Sequence, residues 1–465
     1  MPAATPRDPA PDPASASDPA CDPVPEPASD PASEPASASD PAPEPTADLD
    51  PEPASAPEPA PDPASASDPA SEPASDRTAD LDPAPASSPS PLKRAVRERV
   101  SAHAEELLAL SRRIHAHPET AFAEYRAAAW CAEALRAHGF AVTAPAYGLE
   151  TAFTATVGSG PVTVAFACEY DALPGLGHAC GHNLIAAAGV GAALGLAPYA
   201  DELGLTVRVV GTPAEERGAG KALLLEAGAF DGVDAAMMVH PCPFEMADFS
   251  SFALGTLDVT YTGRTAHPSL NPHEGRNAAD ALTVAQVALG LLRQHLPPQW
   301  RVHGVTTSAG DAPNAIPDRA TAAYEIRALR AEELTALRAR VEACFHAGAL
   351  ATGCEVALER PEPDYLDFRG DPALLALWEA NSRALGRPEP VTGPPFACTD
   401  MGNVSHAVPA IHPVLDITGG AAAPHEPAFA EAALGPAAER ALLDGAVALA
   451  WTAADLADGA PTRVS

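Results

Sequence analysis

The stretch whose reading decides the fold is residues 162–198, VTVAFACEYDALPGLGHACGHNLIAAAGVGAALGLAP. It opens on a short apolar run, VTVAFAC, rich in β-branched and aromatic residues, and such a run reads as a buried strand. The strand ends in carboxylates, Glu169 and Asp171. A Gly/Pro-containing loop follows, and then an Ala/Gly-rich apolar run from Leu184 to Pro198. That run is too short to span a bilayer and reads as a buried core helix. Cys180 and His182 stand two apart at its entrance.

The flanking text repeats this alternation. LTVRVVGTPAEE (205–216) reads as another strand ending in carboxylates, and GVDAAMMVHP (232–241) as a third, ending in His240. Upstream, residues 93–117 space Val96, Val100, Leu107, Leu108, Leu110 and Ile114 at helical intervals, which predicts one helix ending before Pro118. A second helix covers AEYRAAAWCAEALRAHGF and stops at Gly139. Strands alternating with helices indicate an α/β domain with a largely parallel sheet, whose ligands bind at the carboxyl ends of the strands.

From about Gly255 the order changes. TLDVTYTG, RVHGVTTSAG, RATAAYEIRA and CEVALERP read as strands, and the segments at 278–296 and 331–353 read as helices. The order β-α-β-β-α-β is the ferredoxin-like arrangement. The expected organisation is a tail over 1–92, an α/β catalytic domain over 93–253, an inserted ferredoxin-like domain over 254–363, and completion of the α/β domain over 364–458.

Residues 1–92 hold 26 of the 53 prolines and half of the net charge of −34. PDPASASDPA occurs twice there, at 11–20 and 61–70. Such text cannot bury enough apolar surface to offset chain entropy, so a disordered, extended tail is expected. The acidic balance speaks against nucleic acid and anionic membranes as partners. No secretory signal pattern or membrane span is visible, and the eight scattered cysteines form no CxxC pair. The expectation is a cytoplasmic protein with reduced thiols.

The polar residues fall where the strand pattern places the carboxyl edge of the sheet. Cys180 and His182 offer a thiolate and an imidazole, and a helix N-terminus is expected to lower the thiol pKa. Glu215 and Glu216 sit side by side after a strand, so that one carboxylate can bind metal while the other carries protons. His240 ends a strand, and His425 follows a Gly/Ala loop. Asp171 is placed to orient a ligand imidazole. Each feature alone has a plain structural explanation; their shared position at one sheet edge points to metal chemistry.

IHAHPETAFAEY, EYDALPGLGHACGHNL, GTPAEERGAGK, MMVHP, APNAIPD and APHEPAF resemble the successive motifs of the M20 metallopeptidase family, over about Val96 to Leu456. The branch is its amidohydrolase subfamily D, and CGHNL and CTDMGNVSH look most like its aminobenzoyl-glutamate hydrolase and M20-domain dipeptidase group. The resemblance implies a zinc-peptidase-like domain with a central mixed sheet, interrupted by a lid that also dimerises. It implies that Cys180, His182, Glu216, His240 and His425 ligate two divalent metal ions and that Glu215 is the general base. It further implies that His267 acts from the lid across a dimer interface on the tetrahedral oxyanion. Asn314 and Arg327 match residues that hold a substrate carboxylate, a task suited to the planar guanidinium. The mixed donor set suits zinc, with manganese, nickel or cobalt as the other candidates.

Two departures, EERGAG after the glutamate pair and Asn183 in CGHN, bear on substrate preference. The leading expectation is amide hydrolysis in a dipeptide or N-acyl amino acid, with aminobenzoyl-glutamate and β-alanyl or basic dipeptides as candidate substrates. The competing expectations are a deacetylase- or desuccinylase-type amidohydrolase, an inactive binding homologue, and a thiol redox enzyme using Cys180.

Overall fold

A computed structural model describes residues 89–459. The repeat-rich segment 1–88, read above as part of a tail, lies outside the described residues. The ordered chain opens with a helix at Pro91–Ala102, capped by Ser90 accepting from the Lys93 N–H, and a second at Ala104–His115. One continuous helix was the expectation. The break falls at His103, and both pieces then press their apolar faces onto the helix His182–Leu196. Gly191 and Gly195 make that approach feasible, because a Cβ at either would lie 2.8 Å from Leu107 or Val100.

The strands are β1 (Ala141–Thr143), β2 (Phe153–Val157), β3 (Val162–Glu169), β4 (Leu205–Thr212), β5 (Ala235–Met237) and β6 (His240–Cys242). They continue as β7 (Ala253–Thr262), β8 (Arg301–Ser308), β9 (Arg319–Ala328), β10 (Glu355–Glu359), β11 (Ala410–Ile411) and β12 (Val414–Asp416). The main sheet runs β1-β2-β4-β3-β5-β11. Its β4, β3, β5 and β11 are parallel, and β1 and β2 join antiparallel at one edge, so the sheet is mixed. Every residue of the helix His182–Leu196 is buried, between the sheet and the helix Pro436–Gly459.

His240 does not end a strand, as its sequence suggested. β5 stops at Met237, and His240 opens β6, which pairs in parallel with β12. On the partner segment His412 and Pro413 separate β11 from β12. A proline has no N–H to give to a ladder, so pairing halts and resumes beyond it.

Residues 253–359 follow the β-α-β-β-α-β order. The sheet is antiparallel throughout, in the order β10-β7-β9-β8. The helices Ala278–Arg293 and Ala331–Thr352 pack together over it around a core of their own that includes Tyr261, Leu282, Tyr324 and Phe345. The chain leaves and returns beside itself, where Leu254 and Tyr365 exchange backbone hydrogen bonds of 2.9 and 3.0 Å. No helix among the described residues is long and apolar enough to cross a membrane.

Candidate metal centre

Four chain segments meet beyond the carboxyl ends of β3 and β4. The first is the β3 end and the loop after it, which carries Glu169, Asp171 and Cys180 into the helix starting at His182. The helix is entered through Gly181 in the left-handed region, at φ +77°. A Cβ there would also lie 2.4 Å from Pro241 Cγ. Glycine thus permits Cys180 and His182 to flank the chain just where it touches β6.

The second segment follows β4. Ala214 takes φ +62°, and its N–H donates to the buried Glu124 carboxylate at 2.9 Å. The Tyr365 hydroxyl donates to the Glu215 carbonyl at 2.9 Å and accepts from the Ala219 N–H at 3.1 Å. These ties fix the Glu215–Glu216 pair. His240 at the start of β6 is the third contribution and His425 the fourth, its N–H donating to the Ala179 carbonyl at 2.9 Å.

The side chains converge. Cys180 Sγ lies 3.8 Å from His240 Nε2 and 3.7 Å from His425 Nε2. His182 Nε2 lies 3.7 Å from Glu216 Oε1, 3.9 Å from Glu215 Oε2 and 3.6 Å from Glu169 Oε2. Glu216 Oε2 is 3.6 Å from His425 Nε2. Asp171 spans the two segments: its Oδ1 is 3.0 Å from His182 Nδ1, and its Oδ2 accepts from the Glu216 N–H at 2.9 Å. His240 Nδ1 faces the Pro241 carbonyl at 2.7 Å. Both imidazoles therefore engage the protein through Nδ1 and turn Nε2 inward.

Electrostatics here are set by burial. It lifts the carboxyl pKa of Glu215 well above its ordinary value, helped by the charges of Glu169 and Glu216, and raises Glu216 too. Burial pulls His240 down to about 4. It pulls His182 down as well, but the charge and hydrogen bond of Asp171 more than offset this and leave that ring well above the usual value. The Cys180 thiol is raised, by burial first and then by Glu216, not lowered as its place before a helix suggested. A helix terminus acts with about half a charge, and desolvation outweighs it here.

The donors suit a cation. His182 Nε2, Glu169 Oε2 and Glu216 Oε1 are buried without a hydrogen-bond partner. Buried polar atoms left without hydrogen-bond partners are costly unless a bound ion or other group satisfies them. Two overlapping donor sets result, Cys180–His182–His240 and Cys180–Glu216–His425, with a third formed by Glu169, His182 and Glu215.

The remaining candidates are placed differently. His267 is exposed on the loop after β7, where its Nδ1 accepts from the Ser269 N–H, and Asn314 is exposed before β9. Among the described residues neither touches the cluster. Arg327 on β9 is half-buried, with one nitrogen 2.8 Å from Glu325 and another 3.1 Å from Cys398 Sγ. Asn183 turns away from the cluster and donates to Ser111 at 2.8 Å, so it ties helices together.

Sequence reasoning gave no role to Glu169, Lys221 or Asp400. The fully buried Lys221 ammonium lies 2.5 Å from Glu169 and 2.7 Å from Asp400, and the second Glu169 oxygen lies 3.6 Å from His182 Nε2. Glu169 and Asp171 share one face of an extended chain, a signal that was available.

Comparison with known proteins accords with this arrangement. A family model, the M20 peptidase dimerisation domain, matches residues 249–352. The Xaa-Arg dipeptidase of Mus musculus is 42% identical over 384 residues, spanning 78% of this chain and 89% of that protein. The chain belongs to the M20 peptidase family. It is accordingly an M20 hydrolase. One polypeptide of the Escherichia coli p-aminobenzoyl-glutamate hydrolase is 34% identical over 281 residues, covering 56% of this chain and 58% of that polypeptide. A solved M20 structure from Bacillus subtilis, described as a dinuclear metal binding peptidase, shares the fold with a TM-score of 0.58. It is 22% identical and covers 76% of this chain and 99% of its own. In this M20 chain the matched dimerisation segment covers the ferredoxin-like unit up to the end of its second helix, short of β10.

Proposed function

We propose that this M20 enzyme is a dinuclear-metal amidohydrolase that cleaves the amide bond of a dipeptide or N-acyl amino acid. The observation that carries the reading is the convergence of Cys180, His182, Glu216, His240 and His425, with Glu215 beside His182 and with the inward His182 Nε2 and Glu216 Oε1 left without partners. Those five residues would hold the metals. When bound, two divalent cations polarise an amide carbonyl and acidify water. Asp171 fixes the His182 ring so that Nε2 stays inward. Glu215 takes a proton from the attacking water and delivers it to the leaving nitrogen. Arg327 holds the substrate carboxylate from one end of the lid sheet, with Asn314 and His267 supplied from the loops at its other end.

Likeness to the Xaa-Arg dipeptidase makes dipeptides with a basic carboxyl-terminal residue the first substrates to test, with aminobenzoyl-glutamate second. We assign zinc, because the thiolate is a soft donor beside imidazole and carboxylate. None of the seven described cysteines is paired, which suits a reducing cytoplasm.

Dialysis against a chelator is expected to abolish hydrolysis across a dipeptide panel, and zinc or manganese to restore it. Activity that survives complete metal removal sinks the proposal and favours a metal-free reading. The enzyme is assigned as a homodimer, with His267 working across the interface. Mixing inactive His267→Ala protomers with inactive Glu215→Gln protomers is then expected to recover part of the activity. No recovery despite proven protomer exchange would place His267 outside the partner's reaction.

A further inference from the structure

A second group of metal-type donors lies on the helical layer and shares no residue with the cluster above. It consists of His103, Glu106 and His138, whose donor atoms all lie within 4.8 Å of one another. His103 caps the helix Pro91–Ala102, Glu106 stands in the first turn of Ala104–His115, and His138 caps the helix Tyr125–Ala137. His103 Nδ1 is 3.2 Å from Glu106 Oε2, and His138 Nε2 is 3.0 Å from both Glu106 oxygens. The two rings meet edge to face, with centroids 4.6 Å apart.

We propose that His103, Glu106 and His138 form an additional divalent-cation site that takes zinc or a similar borderline cation. Tetrahedral zinc bonded at about 2.0–2.1 Å sets its donors about 3.3 Å apart. The observed 3.0–3.2 Å spacings from Glu106 to the two rings differ little from that, and all the donor atoms lie within 4.8 Å of one another. His103 and His138 are mostly covered, with side chains 14% and 22% exposed, while Glu106 at 41% leaves an open side for water as a fourth ligand. The cation would pin the break at His103 to the end of the third helix. It would therefore act on stability and not on turnover.

The site is tested on the full-length protein by zinc stoichiometry after metal stripping, comparing wild type with His103→Ala and His138→Gln. The expected result is one zinc equivalent fewer in each variant, with dipeptide hydrolysis retained. This difference of one stands whether or not the catalytic cluster binds two metals, so the two proposals fail separately. Equal stoichiometry in wild type and folded variants overturns the site. Should the variants not fold, modification of the wild type by diethyl pyrocarbonate decides. Zinc is expected to protect His103 and His138, and unchanged modification of both refutes the proposal.

Discussion

Glu215→Gln is expected to lower kcat by about 10²–10⁴-fold while metal content stays at the wild-type level. The side chain is 9% exposed, and the backbone carbonyl of Glu215 is held by the Tyr365 hydroxyl. His182 Nε2 lies 3.9 Å from its Oε2. The amide of glutamine keeps the volume and polarity of the site but cannot accept a proton. The loss should therefore fall on kcat, with KM little changed. Metal content is measured by mass spectrometry alongside the kinetics. A variant that turns over at the wild-type rate would falsify the assignment of Glu215 as base. A variant that loses metal in proportion to activity would make Glu215 a ligand instead.

The largest effect on stability is expected at Lys221. Its ammonium is the cation of a triad with Glu169 and Asp400, in which all three side chains are fully buried. The Lys221 N–H also donates to Asp400 at 2.8 Å. Burial already holds the Asp400 carboxyl up at about 6 with Lys221 beside it. Lys221→Met would leave two buried carboxylates uncompensated, next to the raised Glu215. Breaking a buried ion pair from one side costs about 3–5 kcal/mol. The check is a denaturant titration of the metal-free protein, with Lys221→Met/Glu169→Gln beside it. The double variant should recover part of the loss, because one orphaned charge is removed. A single variant within about 1 kcal/mol of wild type would show that water reaches the triad.

Much of the fold was legible in local text. The run VTVAFAC and the Ala/Gly helix after it specify a buried strand and a buried helix wherever they pack. The alternation in RATAAYEIRA gives β9 one inward face, and the order of elements from 253 to 359 is ferredoxin-like by pattern alone. The helix break at His103 was not legible, because the apolar spacing continues across it and tertiary packing against Gly191 and Gly195 draws each half in separately. The start of β6 at His240 was hidden for a related reason. It depends on Pro413, some 170 residues away, interrupting the partner strand.

The candidate site divides along the same line. Sequence by itself supplied the donor types and put Cys180, His182, Glu215, Glu216 and His425 near predicted strand or loop ends. Such chemistry is a property of individual residues and their neighbours in the chain. Only the tertiary structure decided which atoms face one another, since Cys180 and His425 lie 245 residues apart yet 3.7 Å from each other. It also decided the direction in which burial shifts each titratable group. The thiol that a helix terminus was expected to acidify is raised by burial, because desolvation is fixed by the surrounding packing and cannot be read from the neighbours in sequence. The buried triad of Glu169, Lys221 and Asp400 beside His182 belongs to the structure for the same reason: three charges from three segments become partners only when the chain has closed over them.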